Sequence, residues 1–234
     1  ADDLVLRARV AAAYRFPALL SLYENMVYVD DYYRDGNDEL ARERSFTWLI
    51  DTTKTFRTGV KTRLSLFHTA ISNFNRLTVT SETGPGGLPI YRWYDGFDAW
   101  AHGLVVGFSG GSRFTWDFSY TAVDNRDEAW DTPMSYLPKH TLRLALGYNA
   151  GRFSTLLRCE YVADRTSPDI SRTSIIEMDN YFTVDAAAVI TLKDEIRLSL
   201  SATNIFDEAV QIQDNGTTLN LPGRSLGAVL SFSF

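Results

Sequence analysis

The feature that most constrains this chain is an alternation of period two that returns in segment after segment. Leu4, Leu6, Ala8, Val10, Ala12 and Tyr14 alternate with Arg7, Arg9, Ala11, Ala13 and Arg15. Phe46, Trp48 and Ile50 alternate with Thr47, Leu49 and Asp51, and Val60, Leu64 and Leu66 with Lys61, Arg63 and Ser65. Phe114, Trp116, Phe118 and Tyr120 oppose Thr115, Asp117, Ser119 and Thr121, and Leu142, Leu144, Leu146 and Tyr148 oppose Arg143, Ala145 and Gly147. The rule holds again from Phe182 to Ile190, from Ile196 to Leu200, and in Leu226, Ala228, Leu230, Phe232 and Phe234 at the end of the chain. Side chains of a strand point alternately to two faces, so each segment offers one face to lipid and the other to water. A period of 3.6 would spread the same charges around a whole helix, so the segments read as strands.

The connections sort into two lengths. Thr55-Phe56-Arg57, Gly110-Gly111-Ser112, Asn149-Ala150-Gly151 and Lys193-Asp194-Glu195 are short turns, with Gly and Asn supplying the positive φ that tight hairpins need. Residues 16–43, 75–95, 125–138, 165–177 and 206–221 are long connections. Strict alternation of short and long matches periplasmic turns and extracellular loops. About ten strands follow, at 3–15, 44–54, 58–74, 96–109, 112–124, 139–149, 151–164, 178–192, 195–205 and 222–234. Most reach the roughly 9–11 residues that a tilted strand needs to cross a bilayer. The fold class is all-β, an antiparallel transmembrane β-barrel.

Composition agrees. No apolar run approaches the about 18 residues of a membrane-spanning helix, and the slightly negative mean hydropathy suits strands whose inward half is polar. An aromatic share of 13%, with 12 Tyr and 5 Trp, suits girdles at two membrane interfaces. The net charge of −6 argues against nucleic acid as a partner, for no basic stripe remains once the inward Arg residues are assigned to the lumen. The single Cys159 permits no internal disulfide and no metal spacing, and its place in the alternation with Phe153, Leu157 and Tyr161 makes it a small lipid-facing residue. The start, Ala1-Asp2-Asp3, leads directly into a strand, so a secretory signal has been removed or the chain is part of something longer.

Several motifs carry a resemblance to the TonB-dependent outer-membrane receptors. Tyr14-Arg15-Phe16-Pro17, followed by Ser21-Leu22-Tyr23-Glu24, resembles the family's aromatic-Arg-aromatic-x-Pro stretch with Glu-Leu-Tyr, although Pro17 comes one residue early. Gly36-Asn37-Asp38-Glu39-Leu40-Ala41-Arg42-Glu43 is similar to its Gly-Asn-Pro-x-Leu-x-Pro-Glu without the prolines. Phe67-His68-Thr69-Ala70-Ile71-Ser72-Asn73 resembles its Phe-Tyr-x-x-Ile-x-Asn strand, and Pro138-Lys139-His140 its Pro-x-His strand start. Thr203-Asn204-Ile205-Phe206-Asp207 and Pro222-Gly223-Arg224 are similar to its Asn-Leu-Phe-Asp and Pro-Gly-Arg signatures, and the terminal aromatics Phe232 and Phe234 fit an insertion signal. In this order the motifs are specific, and they cover nearly the whole chain.

The resemblance implies the C-terminal portion of a barrel of about 22 strands, a width that leaves an open lumen unless a plug fills it. Residues 1–234 are one barrel domain or barrel portion with no plug-like region. The other reading is a stand-alone barrel of about ten strands, acting as a passive porin or scaffold. On the family reading the location is the bacterial outer membrane, where the partners are its lipid and lipopolysaccharide, the barrel assembly machinery, and TonB acting through a plug absent from this chain. The function is energised uptake of a ferric siderophore, haem, cobalamin or oligosaccharide, with no cofactor.

On the lumen face the alternation collects Arg7, Arg9, Lys61, Arg63, Arg143, Arg158 and Arg197 with Asp51, Asp117, Glu160 and Asp185. These charges serve salt links to a plug, a wet wall, or simply a solvated strand face. Among the long loops, Tyr91-Arg92-Trp93-Tyr94-Asp95 combines cationic and aromatic groups suited to an anionic or planar ligand. Trp130, Tyr136 and Arg172 join it from neighbouring loops, although aromatic residues at strand ends also serve as interface girdle. The acidic stretch from Asp30 to Glu39 does not fit the calcium-loop spacing. No catalytic residue is assigned: His68, His102 and His140 all fall on the outward parity, and no Ser-His-acid pattern stands out.

Overall fold

The structure, a computed structural model, describes residues 3–28, 32–134, 137–168, 174–214 and 217–233. Its elements run β1 (Asp3–Arg15), α1 (Leu19–Tyr23), β2 (Asn25–Tyr28), β3 (Tyr32–Asp35), β4 (Glu43–Thr55), β5 (Lys61–Thr83), β6 (Pro89–Gly111), β7 (Phe114–Asp127) and β8 (His140–Asn149). Then follow β9 (Phe153–Ala163), β10 (Arg165–Pro168), β11 (Ile175–Met178), β12 (Tyr181–Lys193), β13 (Ile196–Thr203), β14 (Gln211–Asp214), β15 (Thr217–Asn220) and β16 (Ser225–Phe232). Ten of the strands form one antiparallel meander in the order β1-β4-β5-β6-β7-β8-β9-β12-β13-β16. The path ends on β1 and β16, which do not pair with each other, so the sheet is an open wall.

Register keeps the two faces separate across the whole wall. Arg7 stands opposite Asp51, and Asp51 opposite Ser65. One position along, Ala8, Ile50, Leu66 and Leu104 follow one another on the other face. A one-residue slip would exchange these faces, so the lipid and water preferences of the side chains fix the pairing. Close approach to backbone is used on the inward side at Gly103, where a Cβ would stand 2.3 Å from the carbonyl oxygen of Ala122 and 2.8 Å from the Phe67 ring. Phe67 covers the backbone that this glycine leaves bare.

The outward face is apolar and unburied by protein, with Leu6 68% and Val10 70% exposed. Lipid is its solvent. Near the loop side it carries an aromatic belt in which Trp48 and His68 stack at 6.0 Å, His68 and His102 at 6.2 Å, and Trp100 and His102 at 4.7 Å. Tyr120 stacks on His140 at 5.9 Å, and its hydroxyl lies 2.8 Å from the ring nitrogen Nδ1. Several of the buried apolar residues, Leu40, Leu77, Ile90, Tyr91 and Val210, lie instead in segments on the long-loop side, which must build a small core of their own.

The long connection expected at 75–95 is a correction to the sequence reading. β5 and β6 continue through it as paired strands and turn only at 84–88, where Gly86 and Gly87 take φ of 72° and 82°. Register shifts between Ile71 and Phe74, between Phe74 and Arg76, and between Val79 and Thr83 break the alternation by which a strand is recognised. The other long connections also carry structure that the alternation does not reveal. The hairpins β2–β3, β10–β11 and β14–β15 lie in them, and β3 adds to β6 in parallel.

Candidate functional site

Two surfaces carry the sequence-predicted site residues: the loop assembly beyond the wall, and the inward face of the wall. In the first, β6 extends past the membrane belt and presents Arg92, Trp93 and Tyr94 in consecutive register with Thr78, Leu77 and Arg76. Alternation therefore sends Arg92 and Tyr94 to one face and Trp93 to the other. The Arg92 Nε donates to Asp35 Oδ2 at 2.7 Å, and a terminal nitrogen reaches Glu82 at 3.0 Å. These two carboxylates raise the Arg92 pKa still further, so the guanidinium is permanently charged. Tyr94 stays exposed, while Trp93 is half-buried and its carbonyl accepts from the Asn37 side chain at 2.9 Å.

The first loop is thereby clamped onto the β5–β6 hairpin. Besides the Arg92 bridge, the backbone N–H of Ala41 donates to Asp95 at 2.5 Å, and Tyr32 meets Tyr91 edge-on with ring centroids 5.0 Å apart. Sequence reasoning assigned Arg92 to ligand charge; its donors here are engaged by acids from β3 and β5. What the assembly offers outward is aromatic surface, chiefly Tyr94.

Trp130 lies half-buried in the turn after β7. That turn is folded back by the Asp127 N–H to the Thr132 carbonyl at 2.8 Å and by the Met134 N–H to Asn125 Oδ1 at 2.6 Å. Beneath it, Arg76 and Asp127 form a buried ion pair, with the guanidinium 4.3 Å from the centroid of the Phe97 ring. Arg165 is a second buried cation: it donates to the carbonyls of Asp179 (2.9 Å) and Gln211, and lies over Tyr181 at 4.9 Å. It borders an apolar cavity of about 130 Å³ with Pro138, Val162 and Leu221. Neither arginine was singled out from sequence, because each meets partners distant in the chain. Tyr136, Arg172 and Phe234 lie outside the described residues.

On the inward face the structure brings together the residues that the alternation selected. Asp51 is buried and accepts from Ser65 Oγ at 2.7 Å and Arg63 Nε at 2.9 Å, with Arg7 at 3.6 Å. Arg9 shares this face on β1. Further along, Arg143 is bonded to Glu160 directly opposite, and Arg158 stands opposite Asp185. With Asp117 and Ser119 they line a recess of about 280 Å³. Asp185 also accepts the Asn204 N–H at 2.8 Å, and Arg197 continues the same face on β13. Such paired charges make a polar wall whose hydrogen bonds a neighbouring polypeptide or water can take over.

Phe232 points outward on β16 and is 55% exposed. Cys159 is a free thiol on the lipid-facing parity. His68, His102 and His140 belong to the outward belt. Among the described residues no group of three or more His, Cys, Asp or Glu is arranged to hold a metal ion.

Comparison with known proteins agrees with this geometry. The family model described as TonB dependent receptor-like, beta-barrel matches residues 1–205. No curated protein matches the sequence. Among solved structures, the siderophore receptor PirA from Acinetobacter baumannii superposes with a TM-score of 0.76 at 18% identity, over 99% of this chain and 39% of that one. A mutant of the ferric enterobactin receptor PfeA from Pseudomonas aeruginosa gives 0.75 at 20% identity, over 99% and 38%. The copper transporter OprC gives 0.71 at 17%, over 99% and 37%. The chain thus spans less than two-fifths of the length of these structures.

Proposed function

Because the chain belongs to the TonB-dependent receptor β-barrel family, we propose that it forms the wall and part of the extracellular vestibule of a transporter for a scarce, bulky nutrient. Barrels of this family are outer-membrane proteins of Gram-negative bacteria, and the family is one of receptors, not enzymes. The observation that carries the reading is the ten-strand meander itself, apolar outward and charged inward, with its structured loops gathered at one end. The unpaired edges of β1 and β16 need partners, since lipid offers no hydrogen bonds to backbone groups. Further strands of the same polypeptide supply them, which favours a larger barrel over a small stand-alone pore.

In this scheme the loop assembly captures ligand with Tyr94, Trp93 and Trp130, together with Tyr136 and Arg172, while Arg92 holds the β3–β6 platform in place. The inward charges from Arg7 to Arg197 face a plug, and TonB acts on that plug to open a path. Ferric siderophores head the candidate substrates, because the structural neighbours bear the names of a siderophore receptor and a ferric enterobactin receptor. Haem, cobalamin and oligosaccharides come next. The deciding experiment measures uptake of radiolabelled ferric chelates by cells making the full-length receptor, with and without TonB. Saturable, TonB-dependent uptake supports active transport. Uptake that is unsaturable and indifferent to TonB overturns it in favour of a passive pore.

A further inference from the structure

The loop-side ends of β1 and β4 bring Tyr14, Arg42 and Arg44 together on the outward face. Tyr14 and Arg44 are directly opposite in register, and the Arg42 guanidinium lies over the Tyr14 ring, 4.5 Å from its centroid. Alternation sends the neighbouring acid the other way. Glu43 is buried, takes the Arg15 guanidinium at 3.5 Å, and accepts the Asn75 N–H at 3.0 Å. Arg42 and Arg44 are thus left without a carboxylate among the described residues. Elsewhere on the same rim an outward cation does have its acid, with Arg126 at 3.0 Å from Asp131.

Directly below the two arginines on this face come Ala12 with Phe46, then Val10 with Trp48. Phe46 is 49% and Trp48 38% exposed, so lipid-facing apolar surface begins within one strand step of the charges. Arginine and tyrosine seated just above such a band mark the depth of lipid headgroups. We propose that Tyr14, Arg42 and Arg44 form a binding site for the phosphorylated sugar headgroup of an outer-leaflet glycolipid. Planar guanidinium groups match phosphate oxygens with paired N–H donors, stacking on Tyr14 fixes the plane of Arg42, and the tyrosine hydroxyl adds a further donor. The site needs the long loops to face outside the cell, and in that respect it rests on the function proposed above.

The test uses the full-length receptor in mild detergent and measures binding of bisphosphorylated lipid A, its dephosphorylated form, and inorganic phosphate. The expected result is retention of the phosphorylated lipid, with affinity lowered about fivefold for each arginine lost in an Arg42→Gln, Arg44→Gln double variant. The paired lysine replacements should keep most of the binding. Equal retention of the dephosphorylated lipid, or unchanged affinity in the glutamine variant, overturns the site. Displacement of the lipid by equimolar inorganic phosphate overturns it also, by showing a free-phosphate site. Should the glutamine variant lose its folded, heat-modifiable mobility, the comparison of the two lipids on the wild-type protein decides alone. Uptake is not read in this assay, so a failed transport experiment leaves its result standing.

Discussion

Arg76 on β5 and Asp127 on β7 are buried against each other at the base of the β5–β6 hairpin, with the Arg76 guanidinium lying over Phe97. Removing one member leaves the other charged and buried, which typically costs about 3–5 kcal/mol. Arg76→Leu should therefore loosen the hairpin 74–97, while the double variant with Asp127→Leu should recover most of the loss. Limited proteolysis of the detergent-solubilised receptor, with melting temperature alongside, checks both. A single variant as resistant as wild type would show that the pair holds nothing in place.

Arg92 clamps the first loop, and its raised pKa fixes the pH response. A cation with a raised folded pKa contributes stability fully below its unfolded pKa and loses it only as pH passes the folded value. Both values lie in strongly alkaline solution, so Arg92 titration leaves the clamp constant from about pH 6 to about pH 10. Arg92→Gln should instead raise protease cleavage in residues 24–42 at every pH in that range. The cleavage rate against pH reads both expectations.

Asp51 ties together three inward side chains. In Asp51→Ala, Arg7 and Arg63 lose their acid and the buried Ser65 hydroxyl loses its acceptor, a change worth about 1–3 kcal/mol. The guanidinium midpoint for unfolding should fall, whereas Asp51→Asn, which keeps an acceptor oxygen, should fall less.

The two faces of the wall can be compared with one added charge. Leu144→Arg places a guanidinium in lipid and should destabilise the barrel by about 2–4 kcal/mol. Thr183→Arg faces Glu160 on the inward side and should cost far less. Reversible unfolding in lipid vesicles measures the difference, and equal costs would mean that the face assignment is wrong.

Where side chains answer to two solvents, the sequence is easily read. The ten wall strands, the inward set from Arg7 to Arg197 and the outward histidines all follow from parity, because water and lipid act on every residue along a strand. Residues 75–95 escape that reading because bulges near Asn73, Arg76 and Val79 reset the parity within a few positions. The partners of Arg92 and Arg76 escape it for a different reason. Asp35, Glu82 and Asp127 are brought to them by folding of loops, and no local period encodes a meeting between separate loops.

Within the meander each strand of the wall bonds to the wall strand before it and the one after it, and β6 takes the short β3 as an additional partner on the loop side. Growth of such a sheet never waits for its two outer strands to find each other, since each new strand is laid, across a short turn or a long loop, onto an edge that is already present. Low separation between paired segments speeds folding. The wall can therefore lengthen by one hairpin at a time, with its face parity checked against lipid at each addition, and a register error in one hairpin would be met at the bilayer before the next is laid down.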